Sequence, residues 1–161
     1  MAKTEITDFV AGAIQTRSIF GLTLGSPSTA FDKVFDGDSC VEEVDKHKRT
    51  MRRDYGLFET GFTRHVEGEW RCFSLIVSVH RLRWEKALPR IIDYGNDDIP
   101  STVRFSDLTR SLAVRGEELA PSGPQFHDFR SFTAGSGARV TVIAEDFDDL
   151  LREGCVWNVQ L

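Results

Sequence analysis

The chain has 161 residues, of which 40% are hydrophobic and 28% charged, a balance typical of globular proteins and unlike that of disordered chains. Its formal net charge of −5 argues against generic nucleic-acid binding, because that affinity comes largely from Lys and Arg side chains that neutralise phosphates. The apolar stretches are far shorter than the about 20 residues that a membrane helix needs, and the N-terminus lacks an apolar signal-peptide region, so a cytoplasmic protein is predicted.

The first segments of the chain predict two helices. Apolar residues at helical spacing predict a helix over 5–16. Ser26-Pro27 opens a second helix, because proline fits the first helical turn, where its missing N–H costs nothing. This second helix is expected to end in the turn Asp36-Gly37-Asp38.

The next segments predict antiparallel strands. Residues 39–53 are polar and predict an exposed loop, or a short strand and a loop. A basic run there is the local exception to the acidic composition and comprises Lys46, Lys48, Arg49, Arg52 and Arg53. The most β-prone segment is 70–82, where alternation predicts a core face made of Phe73, Leu75, Val77 and Val79.

The second half of the chain repeats this order in outline. A helix is predicted over 106–115, with Gly116 as its stop. A hairpin follows around the turn Gly135-Ser136-Gly137. The acidic segment 145–154 predicts a turn or a short helix, and 155–161 predicts a closing strand.

The predicted fold class is α+β, with antiparallel sheet packed by helices. In one arrangement, two tandem helix-then-strands halves span 1–98 and 99–161 and are divided near the linker sequence NDDIPS. A single mixed domain over 1–161 with one curved antiparallel sheet is the equal alternative.

The sequence carries no recognisable catalytic constellation. There is no GxSxG motif, and the segment Gly21 to Ser26 lacks the lysine and third glycine of a phosphate-binding loop. The cysteines Cys40, Cys72 and Cys155 are odd in number and lack CxxC spacing, which argues against a disulfide framework or a zinc site. We therefore predict no catalytic residue, no metal and no cofactor.

Surface residues remain as candidates for binding. The acidic cluster lacks the spacing of a calcium loop and predicts either a solvated turn or a docking patch for a basic partner; it comprises Glu145, Asp146, Asp148 and Asp149. A second predicted partner-binding patch is concave and combines an exposed strand face with two tryptophans: Cys72, Ser78 and His80 with Trp70 and Trp157. Tryptophans often carry interface energy, although Trp70 and Trp157 also fit the core.

A resemblance adds to these predictions. Gly21, Leu24 and Gly25, followed by the strand residues Tyr55, Gly56, Glu59 and Phe62, resemble a small actinobacterial family similar to the immunity proteins found beside polymorphic toxins. The resemblance covers residues 18–82. Such helix-plus-sheet repeats also resemble β-lactamase-inhibitor-like folds, which bind proteins on a concave sheet; this chain departs from that secreted group in lacking a signal peptide and paired cysteines.

The resemblance implies a cytoplasmic immunity or antitoxin-type protein that neutralises a toxin by direct binding. Its expected partner is another protein, with a basic toxin domain as a candidate, and neither nucleic acid nor membrane is expected. The alternative is a small-ligand-binding protein, or an enzyme of unfamiliar type, that uses His80 or His65 in a pocket between the halves. A structural or regulatory protein of another kind is a third possibility, and the oligomeric state stays open.

Overall fold

The computed structural model describes residues 5–64, 68–84, 88–92 and 99–161. Within these ranges the helices are α1 (Ile6–Thr16), α2 (Ser28–Val34) and α3 (Phe105–Val114), together with a 3-10 helix (Val79–Arg83). The strands are β1 (Val41–Val44), β2 (Thr50–Asp54), β3 (Phe58–Thr63), β4 (Arg71–Val77), β5 (Leu119–Pro121), β6 (Phe129–Ala134), β7 (Arg139–Ile143) and β8 (Val156–Gln160).

All eight strands form one antiparallel sheet in the order β1-β2-β3-β4-β8-β7-β6-β5. Each half of the chain therefore contributes a run of four neighbouring strands, and the two runs join where β4 pairs with β8. The C-terminal strand lies in the middle of the sheet, which ties that end of the chain down. The α+β prediction is confirmed, whereas the division into 1–98 and 99–161 stays a prediction, and the first half of its linker, 96–98, lies outside the described residues.

The helices cover one face of the sheet and leave the other open. Along β3, Phe58, Thr60 and Phe62 are buried under the helices, while the residues between them face away. The ring of Phe31 in α2 meets that of Phe62 edge-on, with 5.0 Å between centroids, and Phe105 of α3 lies 4.4 Å from Phe132 of β6. Aromatic rings thus fill much of the core, where each buried ring contributes roughly 1.5–3 kcal/mol.

The core face of β4 differs from the sequence prediction. Leu75 and Val77 are buried as expected, but Cys72 is buried and Phe73 is 54% exposed. A bulge causes this difference, since Cys72 pairs with Phe62 and Ser74 with the preceding Gly61, which leaves Phe73 as an extra residue on the open face. Strand alternation cannot reveal such an insertion, because its position depends on the partner strand.

Two polar segments also form β-strands, although their composition is typical of loops. Residues 39–53 hold the hairpin of β1 and β2, even though every residue of β1 is exposed. The segment after α3 contains the short edge strand β5, which pairs with β6. By contrast, the helix stop at Gly116 is confirmed, because this glycine adopts a φ of +74° that other residues rarely take.

Candidate functional site

The acidic loop, residues 144–154, covers one end of the open sheet face. Asp146 accepts a hydrogen bond from the backbone N–H of Glu153 at 2.7 Å. Asp148 accepts two more, from the backbone N–H groups of Leu150 and Leu151 at 2.8 and 2.9 Å. These carboxylates therefore fold the loop into turns, and no helix forms in it.

A small hydrophobic cluster holds the acidic loop on the sheet. Ile143, Leu151 and Cys155 are each at most 3% exposed and form a group separate from the main core. The half-buried rings of Phe129 and Trp157 pack against them. The loop is thus anchored by burial as well as by its hydrogen bonds.

Exposed aromatic rings continue outward from this cluster. Phe147 of the loop is 51% exposed, and its ring centroid lies 5.5 Å from that of Trp157. On the other side of Trp157 the imidazole of His80 stacks at 3.9 Å, and Trp84, which is 55% exposed, lies 5.9 Å beyond His80. We call these rings, with the neighbouring carboxylates of the acidic loop, the aromatic–acidic surface; it comprises Trp84, His80, Trp157, Phe129, Phe147, Glu145, Asp146 and Asp149.

His80 has a structural part in this surface. Its Nδ1 lies 2.9 Å from the backbone carbonyl oxygen of Trp157, which can only accept, so Nδ1–H is the donor. Burial lowers the pKa of His80 below its usual value. The neutral imidazole is therefore a stacking and hydrogen-bonding group that orients Trp157.

Ion pairs join the aromatic–acidic surface to the first-half strands. Arg83 pairs with Asp148 of the loop. Arg81 binds Asp54 at 2.7 Å and Glu59 at 2.5 Å. Burial alone would raise the pKa of Asp54, but the hydrogen bonds from Arg81 and from the backbone N–H of Gly56, together with the charges of Arg81 and Arg52, outweigh burial and hold that pKa below its usual value. The 3-10 helix thus connects two parts of the open face: Arg81 pairs with carboxylates of the first-half strands, and Arg83 pairs with the acidic loop.

A depression of about 540 Å³ lies on the open face over β1 to β4. Its lining includes the charged residues Glu43, Arg52 and Glu59 and the apolar Phe73 and Ile76. The Phe73 ring lies close over β3, where a Cβ on Gly61 would come within 2.9 Å of it. Among the described residues that line the depression there is no histidine.

The structure brings most of the predicted site residues together. His80 and the acidic cluster (Glu145, Asp146, Asp148, Asp149) meet through Trp157 and Arg83. Trp70 lies elsewhere, because it precedes β4 while His80 follows it, and the seven residues of β4 separate them by about 20 Å. Trp70 is half-buried against the main core. His65 lies outside the described residues.

Other members of the surface were missed from the sequence. Phe147 was visible as an apolar residue inside an acidic run, and an exposed turn offers no core to hold it. Trp84 gave no comparable signal. His127, Asp128 and Glu145 also bring potential metal-ligand atoms within 4.8 Å of one another, all on exposed residues. His127 Nδ1 lies 3.2 Å from Glu145, so this group links the 126–129 turn to the acidic loop.

No protein-family model, curated protein sequence or solved structure matches this chain. In the described residues, no helix combines the length and the apolar character that crossing a membrane requires. The class of the molecule is therefore defined by its own features: an α+β protein with one helix-covered sheet face and one open face that carries the aromatic–acidic surface.

Proposed function

We propose that this chain is a protein-binding module of immunity or antitoxin type, which neutralises a toxin by binding it directly through the aromatic–acidic surface. The observation that carries the proposal is the run of contiguous, partly exposed rings from Trp84 to Phe147 beside the acidic loop. Monomeric proteins seldom leave such rings together in water unless a partner covers them.

The rings supply the contact energy that an interface needs. Aromatic residues are enriched at the centres of protein interfaces, where a few of them carry most of the binding energy. Stacking on His80 and packing against Phe129 fix the Trp157 ring before a partner arrives. A fixed ring loses little conformational entropy on binding, and this preorganisation favours affinity.

The carboxylates around the rings select a basic partner. Asp149 is fully exposed, and Glu145 retains more than half of its exposure. Their charges steer a basic protein toward the surface and disfavour acidic ones. Asp148 is different, because its hydrogen bonds to the loop and its pair with Arg83 make it a positioning residue.

The thiols and His80 support binding rather than catalysis. Burial raises the pKa of Cys72 to about 11, which keeps this thiol protonated at neutral pH and leaves it a poor nucleophile. His80 is neutral and stacked. All three cysteines are free thiols, which supports a reducing compartment and hence the cytoplasmic location that belongs to this proposal.

The depression over β1 to β4 favours a second candidate function, the binding of a small ligand. Its volume lies within the range of ligand pockets, and its lining mixes apolar and charged groups. Native mass spectrometry of the purified protein separates the two candidates. A retained small molecule favours the second, and its displacement on Phe73→Ala places it in the depression.

Co-expression tests the immunity proposal. The chain is produced with the product of the adjacent gene, and we expect protection of the host and a stable complex. Phe147→Ala and Trp84→Ala should each weaken that complex about tenfold or more, because they remove exposed rings. Val114→Ala is the matched control, since Val114 is 87% exposed on a helix on the other side of the sheet. Absence of protection, or equal affinity in all variants, contradicts the proposal.

A further inference from the structure

The basic run singled out in the sequence is not part of the aromatic–acidic surface. Arg52 and Arg53 lie within β2 and pair with carboxylates. Lys46, Lys48 and Arg49 instead form the exposed turn between β1 and β2. Together with Arg64, which follows β3, and Trp70, they make up what we call the basic turn surface.

Among the described residues, the four cations of this surface form no ion pair with an acidic side chain. In the described ranges no carboxylate lies within ion-pair distance of Lys46, Lys48, Arg49 or Arg64. The adjacent Asp45 carboxylate accepts hydrogen bonds from three backbone N–H groups of the turn. The donors are Thr50, Arg49 and His47, at 2.8, 2.7 and 3.1 Å. These hydrogen bonds hold the pKa of Asp45 below its usual value, and the bond from Thr50 has the largest effect.

Arg64 and Trp70 form a fixed platform beside the turn. The guanidinium carbon of Arg64 lies 4.4 Å from the centroid of the Trp70 ring. Arg64 Nε donates to the backbone carbonyl oxygen of Lys48 at 3.0 Å, which ties the guanidinium to the basic turn. Arg64 remains partly exposed. A planar cation held in this way offers a face on which a nucleobase stacks.

The acidity of the whole molecule does not cancel this local charge. The acidic loop lies beyond the far end of β4, about 20 Å away. At physiological salt the Debye length is about 8 Å, so charges at that separation are largely screened from each other. Among the nearer described carboxylates, Glu43 pairs with Arg52, Glu69 pairs with Arg71, and Asp45 is bonded to the turn backbone. A polyanion at the basic turn therefore meets a local excess of positive charge.

We infer that the basic turn surface binds single-stranded nucleic acid, with the phosphates on Lys46, Lys48 and Arg49 and a base stacked on Arg64. Closely spaced cations beside a fixed planar platform suit alternating phosphates and bases better than the carboxylates of an acidic protein, which have nothing to stack. This site is separate from the partner surface at the other end of the sheet, so its test is independent of the immunity proposal.

Fluorescence anisotropy with a labelled 20-nucleotide oligo(dT) tests the inference across 50–300 mM salt, roughly the range in which the salt slope is steep. Each phosphate contact with a single strand contributes a slope of about −0.7 in log K against log salt, so the four cations predict a slope of about −3. No binding at the lowest salt, or a slope near zero, overturns the inference.

Charge-removing variants locate the site. K46Q/K48Q/R49Q should weaken binding by about fivefold for each cation at 0.1 M salt, the factor that follows from the slope of each contact. The matched control R110Q/R130Q/R139Q removes the same charge from exposed arginines elsewhere. It should leave most of the affinity, and equal losses in both triple variants contradict a local site.

Two further measurements separate a nucleic acid from an acidic protein as the occupant. Arg64→Lys keeps the charge and loses the planar face, so we expect about fivefold weaker oligo(dT) binding with an unchanged salt slope. Polyglutamate of similar length should bind more weakly than oligo(dT) and should not respond to Arg64→Lys. Equal binding of both polymers assigns the surface to acidic proteins and overturns the inference.

Discussion

Two loops of opposite charge, the acidic loop and the basic turn, lie near opposite ends of β4, and their charged side chains have different roles in the local structure. At one end, the carboxylates of Asp146 and Asp148 in the acidic loop accept hydrogen bonds from the loop's own backbone, and the buried Leu151 packs the loop onto the sheet. At the other end, Asp45 bonds the backbone of the basic turn and Arg64 donates to the carbonyl oxygen of Lys48. Lys46 and Lys48 have no ion-pair partner among the described residues.

The difference shows that a run of like charges contains both residues that hold the local structure and residues whose charge is exposed to solvent. In the acidic loop, Asp148 and its neighbour Asp149 have the same chemistry, but Asp148 is bonded and Asp149 is fully exposed. In the basic run, Arg53 is paired, while Lys48 has no ion-pair partner in the part of the chain that the structure describes. We therefore compare residues that hold the local structure with exposed neighbours, and the acidic loop with the basic turn.

The largest expected effect is on the anchor of the acidic loop. Leu151→Ala removes a side chain that is 3% exposed and should lower the free energy of unfolding by about 2–4 kcal/mol, the transfer and cavity cost of a buried leucine. Leu150→Ala is the adjacent control, because Leu150 is 45% exposed, and should cost well under half as much. Urea denaturation measures both, and similar losses would show that the loop is not anchored at Leu151.

The next effect concerns the paired aspartates. Asp148→Asn weakens two backbone hydrogen bonds and the pair with Arg83, and should cost about 1–2 kcal/mol of unfolding free energy. Asp149→Asn changes a side chain that is fully exposed and should stay within about 0.5 kcal/mol. Chemical denaturation of the two variants side by side checks this, and an equal cost would contradict the division of roles.

A smaller effect should appear in the pH dependence of stability. Burial lowers the pKa of His80 in the folded state, with the nearby positive charge of Arg81 acting in the same direction. As pH falls below about 6.5, His80 becomes protonated in the unfolded chain but stays neutral in the folded chain. The free energy of unfolding is therefore highest above that pH and declines below it.

His80→Phe removes this titration and keeps a ring for stacking on Trp157. The loss of unfolding free energy between about pH 7 and pH 5 should therefore be smaller in His80→Phe than in the unaltered protein. The pKa of Asp54 is held below its usual value, so this paired carboxylate stays ionised between about pH 7 and pH 5. Identical pH profiles would show that His80 is not held neutral.

The smallest effect is expected at the basic turn. Lys48→Gln should change the free energy of unfolding by less than about 0.5 kcal/mol, because the side chain is exposed and forms no ion pair among the described residues. Asp45→Ala, which leaves three backbone N–H groups without their acceptor, should cost about 1–2 kcal/mol. Thermal denaturation compares the two, and a large loss in Lys48→Gln would contradict the free status of this cation.

Local patterns predict the helices and the second hairpin of this fold, because spacing and turn residues are properties of short segments. The bulge that exposes Phe73 depends on how β4 pairs with β3, which no segment reveals by itself. The site follows the same rule. The acidic cluster and His80 were visible as residue types, but their meeting through Trp157 requires β8 to lie beside β4. Trp70 was grouped with His80 wrongly in space, because the two residues lie at opposite ends of β4; the length of the predicted strand 70–82 already implies this separation.

Hydrogen–deuterium exchange of the chain alone and in complex with the product of the adjacent gene tests the central claim most directly. The account predicts that the partner protects the backbone of residues 144–151 and 80–84, which carry the aromatic–acidic surface, and leaves the turn at 45–50 unchanged. Protection confined to that turn, or to α1 and α3 on the covered face, would contradict it.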